Sequence, residues 1–198
     1  MAGASRREVE AVANAVRKIP GLCFEDEERF LYNLARRKGN LVELGCWKGR
    51  TTAILVKAAA VWRAKVTAVD SFMTMSKKKF GKQATRKLWE ANLKAVGLEP
   101  PELLEMTTDE AAKVYDREIA FLFIDAGHSK PYIEQDLQNW TPKIKLGGIV
   151  ALHDMFNPLA PAICQAVTDW WCREKVGTML TWELIGLQHF TIAFRRLK

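Results

Sequence analysis

No two cysteines in this 198-residue sequence have C-x-x-C spacing, and Cys23, Cys46, Cys164 and Cys172 fit no zinc-finger spacing. That excludes the common dithiol and structural-zinc motifs. Four scattered cysteines lead to the expectation of reduced thiols in a cytoplasm. Long apolar runs are also missing. The longest, around "AILVKAAAVW", is broken by Lys57 and is too short to span a bilayer. The opening "MAGASRREVEAVANAV" mixes both charges and has no apolar h-region, so a cytoplasmic protein is expected, without membrane partners. Arginine-rich tails, internal repeats and low-complexity tracts are absent too. The net charge of +7 is spread along the chain, which fits a solubilising surface better than a nucleic-acid grip.

What is present is an ordinary globular composition, 48% hydrophobic and 27% charged, at a length that suits one domain. The expected organisation is a single domain over residues 1–198, with residues 1–38 as a helical extension packed on it. "SRREVEAVANAVRKI" reads as an amphipathic helix broken by Pro20-Gly21. "EDEERFLYNLARR" reads as a second helix, acidic at its start and basic at its end, as the helix dipole favours.

From "LVELG" onward, strands and helices alternate. "KVTAVD", "ELLEM", "IAFLFIDA" and "GGIVALHD" read as strands, with helical segments between them. "IAFLFIDA" is a continuous apolar run, as expected of a central parallel strand. "TWELIGL" and "QHFTIAFRRL" close the chain as an antiparallel pair. The predicted fold is α/β: a Rossmann-like, doubly wound, mostly parallel seven-stranded sheet with an antiparallel C-terminal strand and helices on both faces. "ICQAVTDWWCREKV" is apolar on more than one face, which predicts a deeply packed helix or a homodimer contact.

The turn "LVELGCWKGRTT" lacks the glycines of the known nucleotide loops. A dinucleotide fingerprint fails at Trp47 and Arg50, and a P-loop fails at Arg50. Glu43, Gly45 and Gly49 remain. Gly45 allows a sharp turn off the strand, and Gly49 allows close packing where a helix starts. Glu43, at the strand end, suits an ammonium group better than a phosphate. Asp70 follows 21 residues after Gly49, at the end of the second strand, where an acid is placed for ribose hydroxyls.

With these residues in place, the chain resembles the class I S-adenosylmethionine-dependent methyltransferases, in particular the small O-methyltransferases. "VELGCWKGRTT" resembles their first motif, with Glu43, Gly45 and Gly49 matching. "AVDSF" resembles the second. "WEANLKAVGLE" resembles the helix that follows, with Asn92 and Gly97 matching. "FLFIDAGHSKPYIEQDLQNWTPKIKLGGIVALHDM" resembles the fourth and fifth motifs of a subgroup with Asp-Gly-x-His and a later His-Asp.

The resemblance implies S-adenosylmethionine as cofactor, held by Glu43, Gly45, Cys46, Trp47, Gly49, Asp70, Ser71, Thr108, Asp109 and Asp125. Three positions depart from the pattern. Cys46-Trp47 enlarges the turn, Thr107-Thr108-Asp109 replaces a Gly-Asp-Ser, and Ala126 replaces a glycine.

Asp125 ends the fourth strand and His153-Asp154 the fifth, which brings two carboxylates and an imidazole to one sheet edge. The resemblance implies Mg²⁺ or another divalent cation on Asp125, His153 and Asp154, activating a substrate hydroxyl. The other reading of the same residues makes His128 or His153 a general base, suited by a pKa near neutrality.

The expected function is O-methylation of a small hydroxylated molecule. One alternative is RNA methylation, although the Asn/Asp-Pro-Pro-aromatic motif of amino-nitrogen methylation is absent from "IDAGH". The other is an idle S-adenosylmethionine-binding module. Acceptor contacts are expected in "SFMTMSKKKFGKQ", in the N-terminal helices and in "MFNPLAP".

Overall fold

A computed structural model describes residues 5–73, 86–176 and 179–198. Helix α1 (Arg6–Val16) is capped by the Ser5 hydroxyl, which accepts the Glu8 N–H. Helix α2 (Glu25–Ala35) carries four acids in its first turn. Two of them, Glu27 and Glu28, are buried. Strand β1 (Asn40–Leu44), helix α3 (Arg50–Ala60) and strand β2 (Val66–Val69) follow. The segment "SFMTMSKKKFGKQ" lies outside the described residues beyond Met73. Then come α4 (Arg86–Ala95), β3 (Glu102–Leu104), α5 (Thr108–Val114), β4 (Ile119–Ile124), α6 (Lys130–Trp140) and β5 (Ile144–Leu152). Helix α7 (Pro161–Arg173), the short strands β6 (Lys175–Val176) and β7 (Met179–Leu180), and the strands β8 (Trp182–Gln188) and β9 (Thr191–Arg196) complete the chain.

The seven-stranded sheet has the order β3-β2-β1-β4-β5-β9-β8. Strands β3, β2, β1, β4 and β5 run parallel, and β9 is antiparallel to both β5 and β8. This is the fold the alternation predicted. The small β6–β7 pair is an addition that the sequence pattern did not show.

Strand β4 is central, and every residue in it is buried. Alternation along it feeds two cores. Leu122 and Ile124 face α5, α6 and α7, while Phe121 and Phe123 face α1, α2, α3 and α4. The second apolar face of α7 is taken up within the chain. Trp170 packs on Trp182 and Phe194, and Trp171 packs on Phe194 and donates to the Trp182 carbonyl.

Consecutive strand ends are tied by backbone bonds. The Asp125 N–H donates to the Leu44 carbonyl at 2.8 Å, and the His153 N–H donates to the Ile124 carbonyl at 3.0 Å. These bonds set the carboxyl ends of β1, β4 and β5 side by side. Among the described residues, no helix is long and apolar enough to cross a membrane.

Candidate functional site

The turn after β1 is built against the end of β4. Gly45 has φ +82°, and a Cβ there would stand 2.2 Å from the Asp125 carbonyl oxygen. Only glycine fits, and it fits because two strand ends touch. Gly49 has φ +93° and sits ahead of α3 against the Trp89 ring. Trp47, between them, is a non-glycine residue at φ +42°, and Lys48 Nζ lies 4.1 Å from the centre of its ring.

Asp70 holds this turn together. Its Oδ2 accepts the N–H groups of Cys46 (3.0 Å) and Trp47 (2.9 Å), and its Oδ1 accepts that of Phe72 (2.7 Å). Asn92 on α4 adds a bond to the Lys48 carbonyl. Cys46 is buried, and burial pushes its thiol pKa up, away from nucleophilic chemistry.

Glu43 lies behind the turn and is fully buried. Thr52 donates to its Oε2 at 2.5 Å, and the Trp89 indole N–H donates to the Thr52 oxygen at 3.1 Å. Its Oε1 has no hydrogen bond of ordinary geometry among the described residues. Burial pushes the carboxyl pKa up to about 8, although the Thr51 and Thr52 hydroxyls favour the charged form. Replacing Thr52 with Val removes the middle of this chain and leaves two buried polar groups unpaired. A loss of about 2 kcal/mol is expected in urea unfolding. Unchanged stability would show that the network carries no net energy.

At the ends of β4 and β5, four titratable side chains meet. His128 Nε2 is 3.2 Å from Asp154 Oδ2 and 3.7 Å from Asp125 Oδ1. His153 Nδ1 is 3.4 Å from Asp125 Oδ1 and 3.5 Å from Asp154 Oδ1. Asp154 has φ +60° and also accepts from the Asn157 amide. Four of the six described non-glycine residues at positive φ are Trp47, Phe72, Asp154 and Phe156, which follow the ends of β1, β2 and β5. Such strain persists where the surroundings fix it, and it gathers at functional sites.

The charges sort themselves by partner. Burial pushes Asp125 up, but the His153 charge and hydrogen bonds from His128 and His153 hold its pKa down at about 2. Burial pushes His153 down, but Asp125, Asp154 and Glu27 outweigh this and set its pKa well above the ordinary value. The three carboxylates therefore favour the charged form of His153, which makes it the poorer proton acceptor of the two histidines. His128 is raised as well, by its hydrogen bond to Asp125 first, with burial opposing. It is the more exposed of the two rings.

Other residues expected at the site have different neighbours. Thr107 caps α5, the Thr108 carbonyl accepts the Trp140 indole N–H, and Asp109 bonds Lys113 on α5 and Asn139 on α6. Ser71 is half-buried, and its hydroxyl oxygen accepts the Met73 N–H. His189 lies in the β8–β9 turn, stacked on Phe24 at 4.8 Å. A cavity of about 350 Å³ opens at the opposite edge of the sheet, beside Arg117, Lys143 and Arg196. It holds none of these residues, and its cations are already bonded to carbonyls or to Glu102.

One residue escaped the sequence reading altogether. Glu27 on α2 is fully buried and faces His153 Nε2 at 3.4 Å. Its acid neighbours hid it, because an acidic first turn needs no further explanation. The signal was its phase, since Glu27, Leu31 and Ala35 share the buried face of α2.

Comparison with known proteins agrees with this architecture. A family model described as a methyltransferase domain matches residues 42–155. The structure is similar to that of the O-methyltransferase NovP, with a TM-score of 0.72, 15% identity and 97% of each chain covered. It is similar to the O-methyltransferase TomG from Streptomyces achromogenes, solved with SAM, with a TM-score of 0.64, 14% identity, and 100% of this chain and 93% of that one covered. An rRNA methylase from Streptococcus thermophilus is also similar, at a TM-score of 0.58 and 16% identity, with 86% of this chain and 94% of that one covered. At such identities the likeness is one of fold, and it does not choose between small-molecule and RNA acceptors.

Proposed function

We propose, because this chain belongs to the methyltransferase domain family, that it transfers methyl from S-adenosylmethionine to a hydroxyl oxygen of a small molecule, with His128 as the general base. The observation that carries this reading is the His128–Asp154 contact of 3.2 Å at the strand edge beside the glycine turn. A base must reach the acceptor proton and be steered by a second group, and this pair supplies both.

The residues present fit the cofactor. Asp70 Oδ1 has a single N–H partner among the described residues and keeps lone pairs for ribose hydroxyls. Glu43, fully buried behind the turn, acts on the cofactor's amino-acid end through the turn it supports rather than as an open acceptor. When bound, S-adenosylmethionine supplies a methyl group already activated by its sulfonium. The chain's remaining tasks are orientation and proton removal. Asp154 orients His128, and the His153 ring beside Asp125 favours its ionised form.

A second reading rests on the same cluster. Asp125, His128 and Asp154 each offer one ligand atom, and these lie within 4.8 Å of one another. A divalent cation there would hold the acceptor hydroxyl and lower its pKa. His128 completes this set, and the expected ligand His153 has its Nδ1 3.4 and 3.5 Å from the same two carboxylates.

Calorimetric titration with S-adenosylmethionine, with and without Mg²⁺, tests the function. One-site binding is expected without added metal, and methyl transfer to a hydroxylated acceptor is expected to survive EDTA. Turnover that vanishes with EDTA and returns with Mg²⁺ supports the second reading. No binding in either condition sinks both. Asp70→Ala removes a charged acceptor from the turn and is expected to weaken binding by about tenfold to a hundredfold, at 1.5–3 kcal/mol for a bond to a charged group. Unaltered affinity would take Asp70 out of the cofactor site.

A further inference from the structure

His153 turns only one of its two nitrogens toward the acceptor edge. Nε2 points the other way, to Glu27, whose two carboxylate oxygens both lie at 3.4 Å. Cys23 stands beside them, just ahead of α2. One ligand atom each from Cys23, Glu27 and His153 lie within 4.8 Å of one another. Cys23 is half-buried, and the other two are buried.

A charge-assisted N–H···O bond runs about 2.7–2.9 Å. Among the described residues, His153 reaches no carboxylate oxygen so closely; its contacts are 3.4–3.5 Å. Two ligands on one tetrahedral zinc ion, each about 2.0–2.1 Å from it, stand about 3.3 Å apart. The Nε2–Glu27 edge, at 3.4 Å, is compatible with that length, as are the Nδ1 contacts, so the choice of side rests on the donor atoms.

The donor atoms also have capacity to spare. Glu27 Oε1 is used by the Phe190 N–H and the Thr191 hydroxyl, but among the described residues Oε2 accepts only the Phe24 N–H besides facing His153. Among the described residues, Cys23 Sγ makes only a 3.7 Å contact with the Phe24 carbonyl. Sulfur, imidazole nitrogen and a single carboxylate oxygen form a borderline-soft set that suits zinc, unlike the oxygen-rich cluster on the other side of the ring. With metal on Nε2, the Nδ1 proton is aimed at Asp125, the outer-shell carboxylate that ligating histidines commonly have.

We propose that Cys23, Glu27 and His153 form a zinc-type site, distinct from the methyl-transfer edge and sharing only the His153 ring with it. Binding releases the thiol proton and the Nε2 proton, and leaves a fourth position for water. The thiolate and the Glu27 carboxylate balance the dication. The site clamps the start of α2 to the end of β5, joining residues 126 apart in sequence.

The probe is Co²⁺ added to chelator-stripped protein, without cofactor or acceptor. One equivalent is expected to give a near-ultraviolet thiolate-to-cobalt band that Zn²⁺ abolishes by displacement. Cys23→Ser is expected to lose the band and to bind at least about tenfold more weakly. His128→Ala, which removes a ligand of the other cluster only, is expected to keep it. X-ray absorption of zinc-loaded wild-type protein, which needs no variant, is expected to show one sulfur at about 2.3 Å. A band that survives Cys23→Ser, a bound ion with only nitrogen and oxygen neighbours, or no binding overturns the proposal and leaves Glu27 as an ion-pair partner of His153. None of these readouts involves methyl transfer, so failure here does not touch the function proposed above.

Discussion

His128→Asn is expected to lower methyl transfer by about 10²–10⁴-fold while leaving S-adenosylmethionine affinity within about twofold. The size follows from removing a positioned base, and the selectivity follows from where the ring sits. Its contacts are Asp154 and Asp125, not the Cys46-Trp47 turn that Asp70 holds.

The pH profile carries a second signature. A base works only when neutral, and the pKa of His128 is raised above its ordinary 6.5, by its hydrogen bond to Asp125 first. Turnover should therefore climb as pH rises through a value above 6.5. The variant should lose that limb of the profile. Retention of the limb in His128→Asn would assign it to another group, and a matching loss of cofactor affinity would mean the turn had been disturbed. His153 is less suited to that role than His128, because its three carboxylate neighbours favour its charged form.

Sequence made the sheet legible because β4 is apolar at every position, and only a strand buried on both faces reads that way. It made the Asp125–His153–Asp154 edge legible for a related reason. In a parallel sheet, residues that end neighbouring strands must lie side by side, and β4 pairs with β5 from Phe121–Ile149 through Ile124–Leu152. Direction was harder to read. Glu43 belongs to the first-motif turn by position, but strand alternation sends its side chain toward Thr52 on α3, under the turn rather than out of the edge.

Distance across the fold was harder still. Nothing local to Thr107-Thr108-Asp109 shows that Asp109 is taken by Lys113 and Asn139, since Asn139 lies on the next helix along. The choice between the two histidines also needed coordinates. Both rings sit among the same acids, and what separates them is Glu27, which arrives from α2 across 126 residues. Hydrophobic periodicity placed that helix without showing which of its four leading acids turned inward.

Glu27→Ala is expected to cost about 3–5 kcal/mol of stability, the range for breaking one side of a buried charge pair. In a chain of this size that is a fall in melting temperature of about 10 °C. Three donors would lose their acceptor: the Phe24 N–H at 2.9 Å, the Phe190 N–H at 3.0 Å and the Thr191 hydroxyl at 2.8 Å. The His153 imidazolium would lose the only carboxylate facing its Nε2 among the described residues.

A surface pair sets the scale. Lys113–Asp109, with both side chains at least a third exposed, is screened by solvent and adds little to the fold. Acid should shrink the Glu27 effect. Burial pushes its pKa up, but the hydrogen bond and charge of His153 with the backbone donors win, and it lies below the ordinary 4.5. A carboxyl lowered on folding contributes stability above 4.5 and loses it as pH falls through the folded value. Urea unfolding at neutral pH and at pH below 4.5 should therefore show the gap between wild type and variant narrowing in acid. Glu27→Gln, which keeps a carbonyl oxygen for Phe190 and Thr191, should fall between the two. A gap of equal size at both pH values would mean that the lost hydrogen bonds and volume set the cost, and that the charge on Glu27 adds nothing to the fold.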